Sequence, residues 1–217
     1  MTPLSSLFHT ALQQCGLVAI LRGVRPDEVV AIGHALYAAG FRLIEVPLNS
    51  PDPLQSIRAL RSALPPDCLV GAGTVTSVQA CAEVASAGGQ IVVMPHSDAA
   101  VIRAAKQAGL ACAPGVATLT EAYAALAAGA DALKLFPAEA LAPSVLKAWR
   151  AVLQPPVALL PVGGITPESI APYAKAGASG FGLGSALYRP GDDATQVATQ
   201  ARAFVSVWHA AYPTKAR

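Results

Sequence analysis

Charge is scarce in this chain. Asp, Glu, Lys and Arg make up 13% of its 217 residues, 15 basic against 13 acidic, for a formal net charge of +2. The charges are dispersed, aromatic residues are only 6%, and no basic stripe is interleaved with aromatics, so nucleic acid is not an expected partner. Cysteine is also sparse: Cys15, Cys68, Cys81 and Cys112 lie far apart, with no CxxC pair. That excludes a disulfide framework and fits reduced, buried thiols in a cytoplasmic protein. The few acids and histidines show no metal-ligand spacing, so no metal site is expected. Long apolar runs are missing too. None approaches the roughly 18–20 residues that span a bilayer, and MTPLSSLFHTALQQCG has no basic n-region, so neither a membrane span nor a signal peptide is expected. A dinucleotide fingerprint is absent: Val70-Gly71-Ala72-Gly73-Thr74 has no correctly spaced third glycine, which argues against an open doubly wound sheet.

What the chain does have is apolar residues, 53% of the total, with a mean hydropathy of +0.47. These read as buried strands and alanine-rich helices, with one face packed on another subunit. The length suits one domain, residues 1–217. A short helix around Leu4 to Gln14 leads. Strands then follow at Leu17–Arg22, Arg42–Asn49, Cys68–Val75, Gln90–Pro95, Leu110–Gly115, within Ala130–Ala138 (closed by Pro137), Val157–Val162 and Gly180–Ser185. Helices alternate with them. Pro26, Asp27 and Glu28 open one, and Leu54, Ile57, Leu60 and Leu64 stripe the next. Thr76 with Gln79, and Thr118 with Glu121, have capping-box spacing. Ser97 and Asp98 begin another helix, Pro143 to Leu153 form one, and Thr166 caps the helix that starts at Pro167. The last runs from about Ala194 with Val197, Ala201, Phe204, Val205 and Trp208 on one stripe, and Tyr212 to Arg217 form a frayed tail. Eight strand–helix units with short loops point to a (β/α)8 barrel.

Catalytic groups of such a barrel gather at the C-terminal strand ends. Those ends are Arg22, Glu45, Thr74, Pro95, Pro114 with Gly115, Lys134, Gly163 with Gly164, and Gly184 with Ser185. Two are charges inside apolar strands, and a buried charge is costly unless it is used. Lys134 shares a face with Phe136. A partly dehydrated lysine has a lowered pKa and attacks carbonyls as an amine, so Lys134 is expected to form a Schiff base; its bland alternative is a stem that snorkels to the barrel end. Alternation puts Glu45 with Leu43 and Pro47 on one face, where it can shuttle protons. Burial favours a neutral amine and a nearby carboxylate opposes it, and the two effects compete. His9, His34 and His209 fall in helices and His96 in a loop, away from this role.

Arg22 can clamp a carboxylate in bidentate fashion, with Thr74 adding a hydroxyl. Gly163-Gly164 and Gly182-Leu183-Gly184-Ser185 follow strands seven and eight. Backbone N–H groups and helix N-termini there suit a phosphate.

The residues that carry a wider likeness are Ala19-Ile20-Leu21-Arg22-Gly23, Ile44-Glu45-Val46-Pro47-Leu48-Asn49-Ser50, Val70-Gly71-Ala72-Gly73-Thr74-Val75, Leu133-Lys134-Leu135-Phe136-Pro137-Ala138, Pro161-Val162-Gly163-Gly164-Ile165 and Gly182-Leu183-Gly184-Ser185. In these stretches the chain resembles the 2-keto-3-deoxy-6-phosphogluconate aldolase family, class I pyruvate aldolases. The resemblance implies a (β/α)8 homotrimer without metal or organic cofactor. It implies that Lys134 is the Schiff-base lysine and Glu45 the general acid/base. Arg22 and Thr74 would hold the pyruvate carboxylate, Gly163, Gly164 and Ser185 the sugar phosphate, with Pro95, Phe136, Val162 and Gly184 as further substrate-binding positions. The implied reaction converts a phosphorylated 2-keto-3-deoxy sugar acid to pyruvate and glyceraldehyde 3-phosphate. Gluconate-type members have a threonine where Val162 stands and a different pair at Leu48-Asn49. Those positions, with Leu187-Tyr188-Arg189, are similar to the galactonate branch. A phosphosugar isomerase or decarboxylase on the same barrel is the competing reading, with Glu45 as base and Lys134 as an electrostatic group.

Overall fold

The computed structural model describes residues 3–213. Helix α1 (Pro3–Gln14) precedes a regular alternation: β1 (Leu17–Ile20), α2 (Val29–Ala39), β2 (Leu43–Pro47), α3 (Pro53–Ala63), β3 (Leu69–Gly73), α4 (Val78–Ser86), β4 (Ile91–Val93) and α5 (Ala99–Gln107). It continues with β5 (Ala111–Ala113), β6 (Gly115–Val116), α6 (Leu119–Ala127), β7 (Ala132–Leu135), α7 (Pro143–Trp149), β8 (Ala158–Pro161), α8 (Pro167–Ala176), β9 (Phe181–Leu183) and α9 (Ala194–Ala211). Every strand pair is parallel, in a six-stranded sheet ordered β5-β4-β3-β2-β1-β9 and a three-stranded sheet ordered β6-β7-β8. The expected parallel α/β alternation is therefore present. The expected fifth strand is split into β5 and β6 at Pro114, which has no N–H to give to a ladder. At the other junction Val162, just past β8, makes a parallel bridge to Gly182 of β9.

Side-chain alternation divides the apolar residues into two cores. Leu17, Ala19, Ile44, Val46, Val70, Ala72, Val92, Leu133, Leu159, Phe181 and Leu183 pack outward against the helices. Val18, Leu43, Leu69, Ile91, Val93, Ala111, Ala113, Ala132, Ala158 and Leu160 pack with one another and with Phe8, Ala11 and Leu12 of α1. Strands covered on both faces read as near-continuous apolar runs, as these do. Glu45 and Lys134 belong to the second face, because Leu43 and Ala132 precede them by two residues.

Helix starts follow cap chemistry. Thr118 and Glu121 form the expected capping box, Asp98 caps α5, and Thr166 caps α8 with Ser169 at the third helical position. The Thr76–Gln79 box does not form. Ser77 is the cap, its hydroxyl accepting from the Ala80 N–H at 3.2 Å, while the Gln79 amide turns to Glu83. Residues Pro26 to Glu28 make a turn ahead of α2, held by the Arg25 N–H donating to the Glu28 carboxylate. Helix α7 stops at Trp149, short of Leu153, where the Arg150 guanidinium collects the Leu153 and Val157 carbonyls at 2.9 and 2.7 Å. Tyr212 is not frayed: it stacks on Trp208 and its hydroxyl donates to the Ala178 carbonyl. The rest of the expected tail, residues 214–217, lies outside the described residues.

Candidate active site

The C-terminal strand ends surround a cleft of about 560 Å³, lined among others by Arg22, Lys134, Phe136, Glu139, Val162, Gly163, Gly164, Gly184, Ser185 and Arg189. Beneath it is a small cavity of about 20 Å³ lined by Glu45, Lys134, Ile20, Val162 and the apolar interior down to Phe8. Lys134 lines both. The lysine therefore does not snorkel away; it stands at the floor of the cleft, its Nζ 4.5 Å from the centroid of the Phe136 ring.

Glu45 and Lys134 are 2% and 6% exposed, which decides the competition between desolvation and mutual attraction. Burial raises the Glu45 carboxyl to about 7, against the opposing pull of Lys134 and Arg22. Burial also lowers the Lys134 amine, helped by Arg22 and opposed by Glu45. Both groups are thus shifted towards neutrality, which supplies a nucleophilic amine beside a carboxyl that titrates near the working pH. The Glu45 Oε2 atom is buried and has no hydrogen-bond partner among the described residues. An orphaned buried carboxylate oxygen is expensive in a resting structure, and it points to a group that completes its bonding during turnover.

Arg22 continues β1 into the cleft. One of its terminal nitrogens donates to Asn49 Oδ1 at 2.6 Å and to Thr74 Oγ1 at 3.4 Å. Thr74 has φ 56, a left-handed conformation that a β-branched residue rarely adopts, and such strain concentrates at functional positions. Ser50 fixes the adjoining loop by accepting from the Gly23 N–H at 2.9 Å. Its hydrogen-bond partners among the described residues, Asn49 and Thr74, are neutral, so the charge of Arg22 is available to an anion.

Gly163 and Gly164 have φ 107 and 62, and the reversal they make leads into the N-terminus of α8. That end of the cleft favours an anion through the helix dipole. Glu139, in a 3-10 turn after β7, lies across this glycine pair: a Cβ on either glycine would meet the Glu139 side chain first. Arg189 also borders the site and donates to the Ser185 carbonyl at 3.0 Å.

Arg22, Lys134, Phe136, Val162, Gly163, Gly164, Gly184 and Ser185 are brought together around the cleft, with Thr74 joined through Arg22 and Glu45 beneath. Pro95 lines neither cavity; its carbonyl packs against Gly115. Sequence reasoning missed Glu139 and saw Asn49, Gly73 and Arg189 only as parts of motifs, without a role. Glu139 and Gly73 carry no local mark, because each meets its neighbour from a distant segment of the chain.

The comparisons with known proteins follow the same lines. The family described as KDPG and KHG aldolase matches residues 8–199. A protein of Escherichia coli (strain K12) named 2-dehydro-3-deoxy-6-phosphogalactonate aldolase is 47% identical over 195 residues, which is 90% of this chain and 95% of that one. One of Rhizobium meliloti (strain 1021), named as a probable aldolase of the same kind, is 46% identical over 196 residues, 90% of this chain and 92% of its own. A solved structure described as native KDPGal superposes with a TM-score of 0.89 at 46% identity, covering 91% of this chain and 96% of the other.

Proposed function

From the premise that the chain belongs to the KDPG and KHG aldolase family, we propose how its residues carry out the reaction. The protein is an aldolase, a carbon–carbon lyase, that reversibly cleaves 2-dehydro-3-deoxy-6-phosphogalactonate to pyruvate and glyceraldehyde 3-phosphate. The observation that carries the assignment of roles is the buried Lys134 amine at the cleft floor, shifted towards its neutral form, and the Glu45 carboxyl on the same cavity, whose buried Oε2 has no hydrogen-bond partner among the described residues.

Neutral Lys134 attacks the C2 ketone, and Glu45 delivers the proton that lets water leave the carbinolamine. The iminium then withdraws the electron pair of the C3–C4 bond as the C4 hydroxyl gives its proton, directly or through a water, to the Glu45 carboxylate left by the dehydration. Glyceraldehyde 3-phosphate departs and an enamine remains on the lysine. Glu45 returns a proton to C3, and hydrolysis of the iminium releases pyruvate and the free amine. Arg22, with Thr74 behind it, orients the pyruvate carboxylate. Gly163, Gly164, Gly184 and Ser185 receive the phosphate at the N-terminal end of α8. Phe136 and Val162 wall the carbon chain, and Pro95 acts at most through Gly115.

The scaffold in this reading is one domain, residues 1–217, closed as a (β/α)8 barrel. Support comes from the Pro114 interruption between β5 and β6 and the Val162–Gly182 bridge, which bring the two sheets edge to edge. A homotrimer is what the family resemblance implies, and exposed apolar side chains, Val78, Tyr123 and Val152 among them, accord with an oligomer of some order. A cytoplasmic setting accords with four free, buried cysteines, two of which (Cys68 and Cys112) are pushed up to about 12 by burial. No helix among the described residues is long and apolar enough to cross a membrane.

Reduction with borohydride in the presence of pyruvate, followed by peptide mapping, tests the assignment. The expected product is a single reduced pyruvate adduct on Lys134. An unmodified Lys134, or an adduct on another lysine, removes the Schiff-base mechanism and favours the isomerase-type reading.

A further inference from the structure

We infer that Gly73 is a positioning residue, whose missing side chain forms the socket in which the Glu45 carboxylate lies. In the β2–β3 ladder Glu45 faces Gly71 and Pro47 faces Gly73, so Gly73 is the diagonal neighbour of Glu45, one step towards the cleft on the same face. The Glu45 side chain extends along that diagonal. A Cβ placed on Gly73 would fall inside the carboxylate, and its three nearest atoms are Oε2, Cδ and Oε1 of Glu45.

The backbone does not account for this glycine. Gly73 is not among the glycines with positive φ, so alanine fits its conformation. Nor does strand approach account for it. Gly71, two residues earlier, would put a Cβ against the backbone of Ile91, whereas the three atoms nearest a Cβ on Gly73 all belong to the Glu45 side chain. Gly73 therefore gives a buried carboxylate room to point at the cavity it shares with Lys134. The charged groups that act on it there are Lys134 from β7 and Arg22 from the end of β1. With a methyl group in the socket, the end of a flexible side chain is what yields, and the carboxylate is pushed towards the open cleft.

The catalytic consequence rests on the aldolase assignment, and the experiment keeps the two apart. Gly73→Ala is expected to fold, to form the Lys134 adduct more slowly, and to lose about 100-fold in kcat, the scale of a misplacement near 1 Å. Its KM is expected to stay within about threefold, since uniform substrate binding is untouched. The limb of the pH–rate profile that belongs to Glu45 moves to lower pH, because the displaced carboxylate is better hydrated. The melting temperature is read in parallel. Gly73→Ala lowers it in the wild-type background and leaves it nearly unchanged in a Glu45→Ala background, where the three atoms the methyl group would meet first are gone. An equal drop in both backgrounds, or an unaltered kcat and pH profile, overturns the assignment. The melting comparison needs no activity. Should wild-type protein give no pyruvate adduct, the aldolase mechanism fails while the socket is still decided by the two melting differences. Should Gly73→Ala alone fail to fold, folding of the Glu45→Ala/Gly73→Ala protein supports the socket, and its failure refutes it.

Discussion

Glu45 and Lys134 reach one cavity of about 20 Å³ from strands of two different sheets, and no ion pair joins them among the described residues. Had the two closed into a salt bridge, each would hold the other charged and the amine would be a poor nucleophile. Burial without contact has the opposite effect: it draws both towards neutrality. A cavity of this size admits about one water molecule, and the two groups supply polar partners for it.

The first expectation concerns pH and stability. Folding raises the Glu45 carboxyl from 4.5 to about 7, so the folded protein binds the extra proton in that interval. The contribution of this group is fully present below the unfolded pKa and is lost as pH rises through about 7, by roughly 3 kcal/mol at most. Glu45→Gln is expected to flatten this slope. Melting temperatures of both proteins between pH 4 and pH 8 on the order of half-unit steps provide the check; parallel curves would show that another group sets the dependence.

Replacing the amine separates chemistry from packing. Lys134→Met keeps the length of the side chain in an apolar site, so folding is expected to survive or improve. Turnover is expected to fall by at least about 10⁴-fold, as for the loss of a covalent nucleophile, and no borohydride adduct should form. With the ammonium gone, Glu45 loses the larger of the two charges that pull its pKa down and moves further up. Carboxyl infrared titration reads that shift; a downward shift would contradict it.

Much of this was legible in the sequence, for a physical reason. Strands buried on both faces have to be apolar, so a lysine in Leu133–Leu135 and a glutamate in Ile44–Val46 stand out without a structure. The alternation that places both on the inner face also needs only the chain itself. What escaped is whatever depends on register between strands. Gly73 means nothing until Pro47 is known to pair with it, and Glu139 is an unremarked exposed acid until Gly163 and Gly164 fold under it. The left-handed Thr74 is similarly silent, because a β-branched residue carries no signal for that conformation. Capping was read correctly at Thr118–Glu121, where an acid fixed the register, and one residue early at Thr76–Gln79, where the adjacent Ser77 hydroxyl takes the cap without a box.

Epimer choice is expected to turn on Val162. It is buried, packs against Gly182, and lines both the cleft and the cavity below. Val162→Thr adds a hydroxyl at this wall and should move preference towards the gluconate epimer by roughly tenfold, the worth of one hydrogen bond. Competition between the two substrates in one reaction measures it; an unchanged ratio of kcat/KM would count against the role.

Glu139 places a carboxylate over the glycine turn to which the proposed function assigns the phosphate. If the phosphate binds there, the two anions repel and the acid is expected to swing out. Glu139→Gln removes the charge and keeps the shape. KM for the phosphorylated substrate should fall about two- to tenfold with kcat little changed, and the gain should shrink at high salt. A raised KM would mean that the carboxylate instead organises the site.

The opposite end of the strands depends on a different pair. Lys106 Nζ forms an ion pair with Asp131, and also donates to the Leu110 carbonyl and to Ser5 Oγ, each at 2.9 Å. The same Asp131 oxygen accepts from the Cys112 N–H at 2.8 Å. One ion pair thus ties α1, α5 and β5 to the segment that enters β7. Both side chains are largely covered, so removing one leaves the other charged and under-solvated. Asp131→Asn should therefore destabilise by about 2–4 kcal/mol, or roughly 5–15 °C in melting temperature for a chain of this size. Lys106→Met/Asp131→Asn should cost less than the two single changes added together, because no lone charge remains. At a temperature where all are folded, kcat should stay within about twofold of wild type, since the clamp lies away from the cleft. Additive losses in the double variant would show that Lys106 and Asp131 do not act as one unit. A selective fall in kcat would show that the clamp also sets the position of the lysine.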